Sequence, residues 1–229
     1  MNANPNVAQV ASLVSDASRA AILTVLLDGR YHPASELAYM AKIKPQTASF
    51  HLSKMVAANL VTVEEQGRHR YYGIRNQEVA QILETLLSIT PPVEIRSLNQ
   101  ATEHEAIRQA RTCYDHLAGS LGIQLTNSLL NAGVISDTEN QFTVTEKGEV
   151  FFKAFQIDLE QVKRKRRSFT HRCLDWSERR HHLAGALGHA LLERLLELNW
   201  IQRLPRTRAI TITPEGKKGL KETFQIDME

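Results

Sequence analysis

Two cysteines among 229 residues are too few for the disulfide framework of a small secreted domain. No apolar run near the start resembles a signal peptide, and no apolar stretch is long enough to span a bilayer. The expectation is a cytoplasmic protein with no membrane partner and with both thiols reduced. A phosphate-binding glycine loop, a nucleophile beside its base and a paired-carboxylate site are also missing, so an enzyme ranks last among the readings.

What remains is an ordinary globular composition. At 42% hydrophobic residues the chain can bury a real core, as one large domain or two modest ones. The formal charge of +3 decides nothing alone, but it removes the repulsion from phosphate that an acidic protein would suffer.

The stretch Lys44 to Leu60 organises the first third. Pro45 suits a first helical position, where its missing N–H would have no intrahelical partner. Winding onward at about 100° per residue puts Ala48, Leu52, Met55, Val56 and Asn59 on one packed side. Gln46, Thr47, Phe50, Ser53 and Lys54 fall on the other. Short hydrogen-bonding side chains beside an aromatic with no core to fill suit a helix that enters a DNA major groove. Upstream, Val7, Val10, Ala11 and Val14 recur at helical spacing. Ser15 or Asp16 then caps a helix carrying Ile22, Leu23, Leu26 and Leu27, which stops at Asp28-Gly29. A third helix begins near Pro33, with Leu37, Ala38 and Met40 available for packing.

After Leu60 the pattern turns β-prone: two runs between Val61 and Ile74 meet at Gln66-Gly67, with Arg68, His69 and Arg70 crowding the tip. This is a wing whose cations reach a phosphate or a minor-groove edge, against the alternative of a solvated hairpin end. Asn76 caps a further helix in which Val79, Ile82, Leu83, Leu86 and Leu87 form a stripe too broad for a small three-helix core. With the first helix, that surplus is a surface for a homodimer, which would present two recognition helices to a pseudo-palindromic operator.

The order Asp16…Arg19…Ile22-Leu23…Leu26…Gly29, Ser35-Glu36-Leu37-Ala38, Ser49-Phe50-His51-Leu52, Leu60-Val61 and Gly67-Arg68…Tyr71-Tyr72 resembles the ArsR/SmtB family of bacterial winged-helix repressors. The resemblance covers roughly the first 90 residues, the size of one compact module. It implies that Ser49 and His51 lie on the recognition helix and that dimerisation uses the first and last helices of the module. Lys44, Gln46, Thr47, Ser49, Phe50, His51, Ser53, Lys54, Arg68, His69 and Arg70 are the candidate DNA contacts. None of the usual metal sites of the family is present. Glu36 to Lys42 offers no thiolate, and Asn76 to Thr90 has only Glu78 and Glu84 as anionic candidates and no histidine.

The second half contains a repeat. Arg111-Thr-Cys113-Tyr-Asp115 recurs as Arg172-Cys173-Leu-Asp175, and His116-Leu-Ala-Gly-Ser-Leu-Gly122 as His182-Leu-Ala-Gly-Ala-Leu-Gly188. The match runs on through Thr143-Val-Thr145 and Thr211-Ile-Thr213 to Phe155-Gln-Ile-Asp158 and Phe224-Gln-Ile-Asp227. Ser177 to His181 is an insertion in the second copy. Each copy reads as helix, helix, short strand pair, helix, with Thr145 and Thr213 as N-caps and Pro214 at a first helical position. The fold class is thus mainly α with small β-hairpins (α+β): a winged helix-turn-helix followed by two winged-helix-like repeats. The expected divisions are 1–90 for DNA binding and dimerisation, a linker at 91–100 through Thr90-Pro-Pro-Val, and 101–229 for the repeats, at about 101–158 and 160–229.

Cys113, Asp115 and His116, with Cys173, Asp175 and His182, gather thiol, carboxylate and imidazole, the donors of a soft metal or metalloid site. If the copies pack about a pseudo-two-fold, the thiols face a common cavity. The structural alternative is buried small cysteines, helix-capping aspartates and a core shared by duplication. Lys163 to Arg167 makes the inter-repeat segment basic, as a phosphate contact or a solvated face. Tyr114, Trp176 and Trp200 either line an effector pocket or belong to the core. The leading reading is a transcriptional regulator, a repressor whose DNA binding is relieved by an unknown small effector or by a thiol or metal event. The alternatives are a constitutive DNA-binding protein whose repeat only oligomerises it, and a thiol- or metal-binding protein.

Overall fold

A computed structural model describes residues 6–91, 94–139 and 141–228. The chain divides into two compact units, Met1–Glu84 and Thr85–Glu229. The linker expected over 91–100 includes Pro92 and Val93, which lie outside the described residues, and its last residues already belong to a helix.

In the first unit α1 (Val7–Val14), α2 (Ala17–Leu26), β1 (His32–Pro33), α3 (Ala34–Met40), α4 (Pro45–Ala57), β2 (Val61–Gln66) and β3 (His69–Ile74) lead into α5 (Gln77–Ile89). Asp16 caps α2 by accepting from the Arg19 amide at 2.9 Å. Ile22, Leu23, Leu26 and Leu27 are buried with Leu37, Ala38, Ala48, Leu52 and Met55, so the apolar stripes read from the sequence do meet in one core. β2 and β3 pair antiparallel through a two-residue turn at Gly67-Arg68, forming the wing.

Two local expectations need correction. Pro33 is the residue preceding α3 and belongs to a two-residue strand, β1, which pairs with β3 and was not foreseen. So short a strand has no period to detect. Asn59, expected on the packed side of α4, is exposed with φ 59°: it follows the helix in left-handed conformation, a place asparagine tolerates. Across α1 nothing is buried, and Val7, Val10, Ile82, Leu86 and Ile89 stay exposed.

The second unit runs α6 (Leu98–Gln109), β4 (Arg111–Cys113), β5 (His116–Ala118), α7 (Gly119–Asn131), β6 (Ile135–Thr138), β7 (Gln141–Val144), α8 (Glu146–Ala154) and α9 (Leu159–Lys163). It continues through β8 (His171–Leu174), β9 (His181–Ala184), α10 (Gly185–Glu197), β10 (Ile201–Arg203) and β11 (Ile210–Ile212) to α11 (Pro214–Phe224). The duplication is therefore structural: hairpin, long helix, hairpin, helix, twice. Thr145 and Thr213 accept from the amides of Gly148 and Gly216 as N-caps. The hairpins β4–β5 and β8–β9, each ahead of a long helix, are additional to the order expected from sequence. They also set the equivalence, since Arg111 pairs with Ala118 and His171 with Ala184. Arg111 thus corresponds to His171, one place away from the match with Arg172. Gly119 and Gly185, at φ 78° and 85°, make the sharp change from strand to helix. Leu121, Leu125 and Leu129 of α7 and Leu187, Leu191 and Leu195 of α10 share one core with Phe142, Phe152, Leu220 and Phe224.

In the first unit a buried polar cluster ties α2 to α3. His32 Nε2 lies 2.8 Å from the Asp28 carboxylate and Nδ1 lies 3.0 Å from Glu36. Burial alone would push both Asp28 and His32 toward their neutral forms, but their mutual hydrogen bond and charge outweigh it. Asp28 is held below, and His32 above, its ordinary value. The His32 contribution is therefore complete below the imidazole's ordinary pKa and is lost as pH rises through the raised one. That of Asp28 is present above the ordinary carboxylate range and is lost in acid. The expected outcome is that His32→Asn lowers the urea midpoint most near about pH 6 and that the gap to wild type narrows toward about pH 9. A gap of constant size across that range would show that His32 carries no charge in the folded state.

Candidate functional site

α4 presents Lys44, Gln46, Ser49, Phe50, Ser53 and Lys54 to solvent, with Thr47 half-buried. Phe50 is 55% exposed, and Lys54 Nζ sits 4.3 Å above its ring. A cation and an aromatic thus share one outward ridge, flanked by short hydroxyl and amide groups. The wing tip is exposed at Arg68, His69 and Arg70, with Arg70 paired to Glu65 at 3.0 Å. His51 departs from this pattern. It is buried on the inner side of α4, with Nδ1 3.3 Å from an Arg19 guanidinium nitrogen and Nε2 3.8 Å from Asp16. It fixes α4 against the start of α2 instead of facing outward, because position 51 lies three residues after Ala48 and four before Met55, both buried, on the inward side.

The second unit brings together residues more than sixty positions apart. Cys113 is the cross-strand partner of His116, and Cys173 that of His182. Directly opposed residues of an antiparallel pair project from the same face, so each hairpin offers one thiol and one imidazole side by side. The two hairpins face each other. The Cys113 and Cys173 sulfurs lie 3.7 Å apart without a disulfide, and His116 Nε2 lies 3.0 Å from His182 Nε2. One donor atom from each of the four falls within 4.8 Å of all the others.

Asp115 and Asp175 stand behind this cluster instead of in it, which corrects the expectation that they share its ligand role. Asp115 holds His116 Nδ1 at 3.3 Å and is clamped by Arg167, whose other arm donates to the Gly185 carbonyl at 2.6 Å. Asp175 is fully engaged: it accepts from Arg111 at 2.9 Å, from the Gly119 amide at 2.7 Å and from Ser177 and the Glu178 amide. It therefore caps α7, the long helix of the other repeat, and not α10 of its own. Arg167 closes the basic run Lys163 to Arg167 by turning inward, a role its neighbours conceal in the sequence. Trp176 stacks on Arg111 at 4.2 Å, and Trp200 packs in the Phe155–Phe224 core, so neither lines a ligand pocket.

The charges sort themselves accordingly. Burial opposes ionisation of Asp115, but His116 and Arg167 bring its carboxyl down to about 2. His116 is pushed up to about 10, because Cys113 and Asp115 outweigh the burial that would lower it. Burial and the neighbouring His116 charge depress His182, and they take His171 down to about 4. The arrangement thus favours the charged form of His116 and the neutral forms of His171 and His182. All four donors are of types that bind soft or borderline metals.

Known proteins share the segment that contains α4. Residues 14–64 match a family model described as a helix-turn-helix domain. Over 223 residues, 97% of this chain and 99% of the relative, the sequence is 53% identical to an HTH-type transcriptional regulator, YdfF, of Bacillus subtilis (strain 168). The chain belongs to the HTH-type transcriptional regulators. It is a DNA-binding protein of transcription and not an enzyme. Among solved structures it is similar to NolR from Sinorhizobium fredii, at 28% identity over 38% of this chain and 85% of that one (TM-score 0.34). It is also similar to the cadmium metal-sensor CMTR from Mycobacterium tuberculosis, at 28% identity over 39% and 100% (TM-score 0.32). The match to the B. subtilis regulator spans both repeats as well as the DNA-binding module.

The Arg111–Asp175 pair is 1% and 0% exposed in its side chains. Asp175→Ala strands a buried guanidinium and uncaps α7, and is expected to cost about 3–5 kcal/mol. Arg96→Ala, which breaks an ion pair exposed on both sides, is expected to change stability by less than about 0.5 kcal/mol. Urea denaturation monitored by tryptophan fluorescence compares them, and equal effects would contradict the buried clamp.

Proposed function

We propose that this regulator acts as a cytoplasmic homodimer that represses transcription by placing two copies of α4 in successive major grooves of a pseudo-palindromic operator, and that an event in the duplicated unit relieves the binding. The observation that carries the reading is the outward ridge of α4. Gln46, Ser49, Phe50, Ser53 and Lys54 are exposed together, beside a wing tip with two arginines and a histidine. Gln46 and Thr47 supply donors and acceptors for base edges, Phe50 an apolar contact for a thymine methyl, and Lys44, Lys54, Arg68 and Arg70 charge for phosphates. The apolar residues left exposed on α1 and α5 support self-association, since a second copy would cover them. The duplicated unit buries a cluster of thiols and imidazoles, which suits control better than a second DNA contact.

Selection of binding fragments from genomic DNA, followed by binding isotherms at several salt concentrations, tests the contacts. Gln46→Ala is expected to weaken binding to the selected site by about 1–3 kcal/mol while leaving non-specific DNA binding unaltered. Arg68→Ala is expected to weaken binding to all sequences alike and to reduce the salt slope by about one. Wild-type affinity and slope in both variants would overturn this placement of α4 and the wing.

A further inference from the structure

We propose that Cys113, His116, Cys173 and His182 bind one divalent ion of the zinc class, two ligands from each repeat, and that this closed site locks the two repeats into one body. Its use in regulation rests on the reading of the duplicated unit as the controlling part, whereas the site itself does not.

Zinc sits about 2.3 Å from thiolate sulfur and about 2.0–2.1 Å from imidazole nitrogen in tetrahedral sites, so two sulfur ligands end up about 3.8 Å apart and two nitrogens about 3.3 Å apart. The chain holds its sulfurs 3.7 Å apart and its nitrogens 3.0 Å apart. Like donors are thus spaced nearly as such an ion requires, and with one donor atom of each residue within 4.8 Å of the others, small shifts would close the set on a single ion. Three of them belong to buried residues, with Cys113 3%, His116 4% and His182 0% exposed. Charge selects the valence: two thiolates and two neutral imidazoles exactly offset a double positive charge in number, leaving a neutral assembly where a net charge would be costly. Binding displaces the protons of the thiol and imidazole donors to solvent and involves no oxidation.

The surroundings point the same way. A ligating imidazole usually passes its other N–H to a carboxylate, and each histidine has one behind it: Asp115 at 3.3 Å from His116 Nδ1 and Asp175 at 3.8 Å from His182 Nδ1. That buried His182 Nδ1 has no hydrogen-bond partner among the described residues. An ion on Nε2 fixes the proton on Nδ1 and directs it at Asp175. Without an ion, the facing Nε2 atoms can share only one proton between them. With all four positions taken by protein, no open position remains for catalysis, so the ion's effect is on packing. It links the β4–β5 hairpin to the β8–β9 hairpin, where β5 and β9 already touch.

The full-length chain, purified under reductant without chelator, is expected to carry one zinc per chain. Its cobalt-substituted form is expected to show thiolate-to-cobalt charge transfer together with the intense visible bands of a tetrahedral site. Cys113→Ser and Cys173→Ser should each abolish the charge-transfer pattern of a two-sulfur site. If either serine variant misfolds, Asp115→Asn, which touches no ligand atom of the ion, should weaken zinc affinity about 10–100-fold. In the wild type both thiols should resist a thiol reagent until a chelator is added. Substoichiometric metal, a cobalt spectrum of oxygen ligands only, or thiols equally reactive with and without chelator would each overturn the site. Operator binding by loaded and stripped protein separates the two layers. A difference in affinity supports control through the ion, equal affinity with the four-ligand spectrum intact overturns only that control, and operator binding without any such spectrum overturns only the site.

Discussion

Opposed strand positions in two short hairpins decide how the second unit is built. Because Cys113 faces His116 across one hairpin and Cys173 faces His182 across the other, each repeat exposes the same two donors on the same face. Duplication then lets the two faces meet. Buried thiols and imidazoles are costly to bring together without partners, and the surrounding structure reflects that cost. Two aspartates stand behind the histidines, two arginines hold the aspartates, and Arg111 carries Trp176 across its plane. The repeats have diverged around this shared centre: a two-residue turn joins β4 to β5, with Tyr114 at φ 59°, whereas a six-residue loop from Asp175 to Arg180 joins β8 to β9.

The first unit follows a different logic. Its core is apolar, and the buried polar groups Asp28, His32 and His51, with the half-buried Arg19, tie its helices together. Under the proposed reading of α4 that rigidity matters, because base recognition tolerates little misplacement of the reading helix. His51 contributes by holding α4 in place from beneath. The outward ridge can then be soft, carrying only short polar groups, Phe50 and two lysines.

Much of the first unit was legible because its signals are local and long enough to average. α2 and α4 each run for ten or more residues with clear apolar periodicity, Asn76 caps α5 as expected, the cap of α2 is Asp16 of the two candidates Ser15 and Asp16, and Gly67 marks the wing turn. β1, two residues long, left no trace. In the second unit the internal repeat was plain, and so was the grouping of thiol, imidazole and carboxylate. The hairpins that position them were not, because three- and four-residue strands are too short to show alternation and are set by pairing alone. Their absence from the sequence reading is also why Asp115 and Asp175 were grouped with the donors: only the strand register shows that they lie beyond the hairpin ends. Arg167 was hidden for a different reason, since nothing in a run of five cations reveals which one turns inward.

Zinc-edge X-ray absorption on the full-length protein, with no variant and no DNA, tests the central claim most directly. The account predicts a first coordination shell of two sulfurs at about 2.3 Å and two nitrogens at about 2.0–2.1 Å. A shell of nitrogen and oxygen alone, or zinc bound without either sulfur, would contradict it.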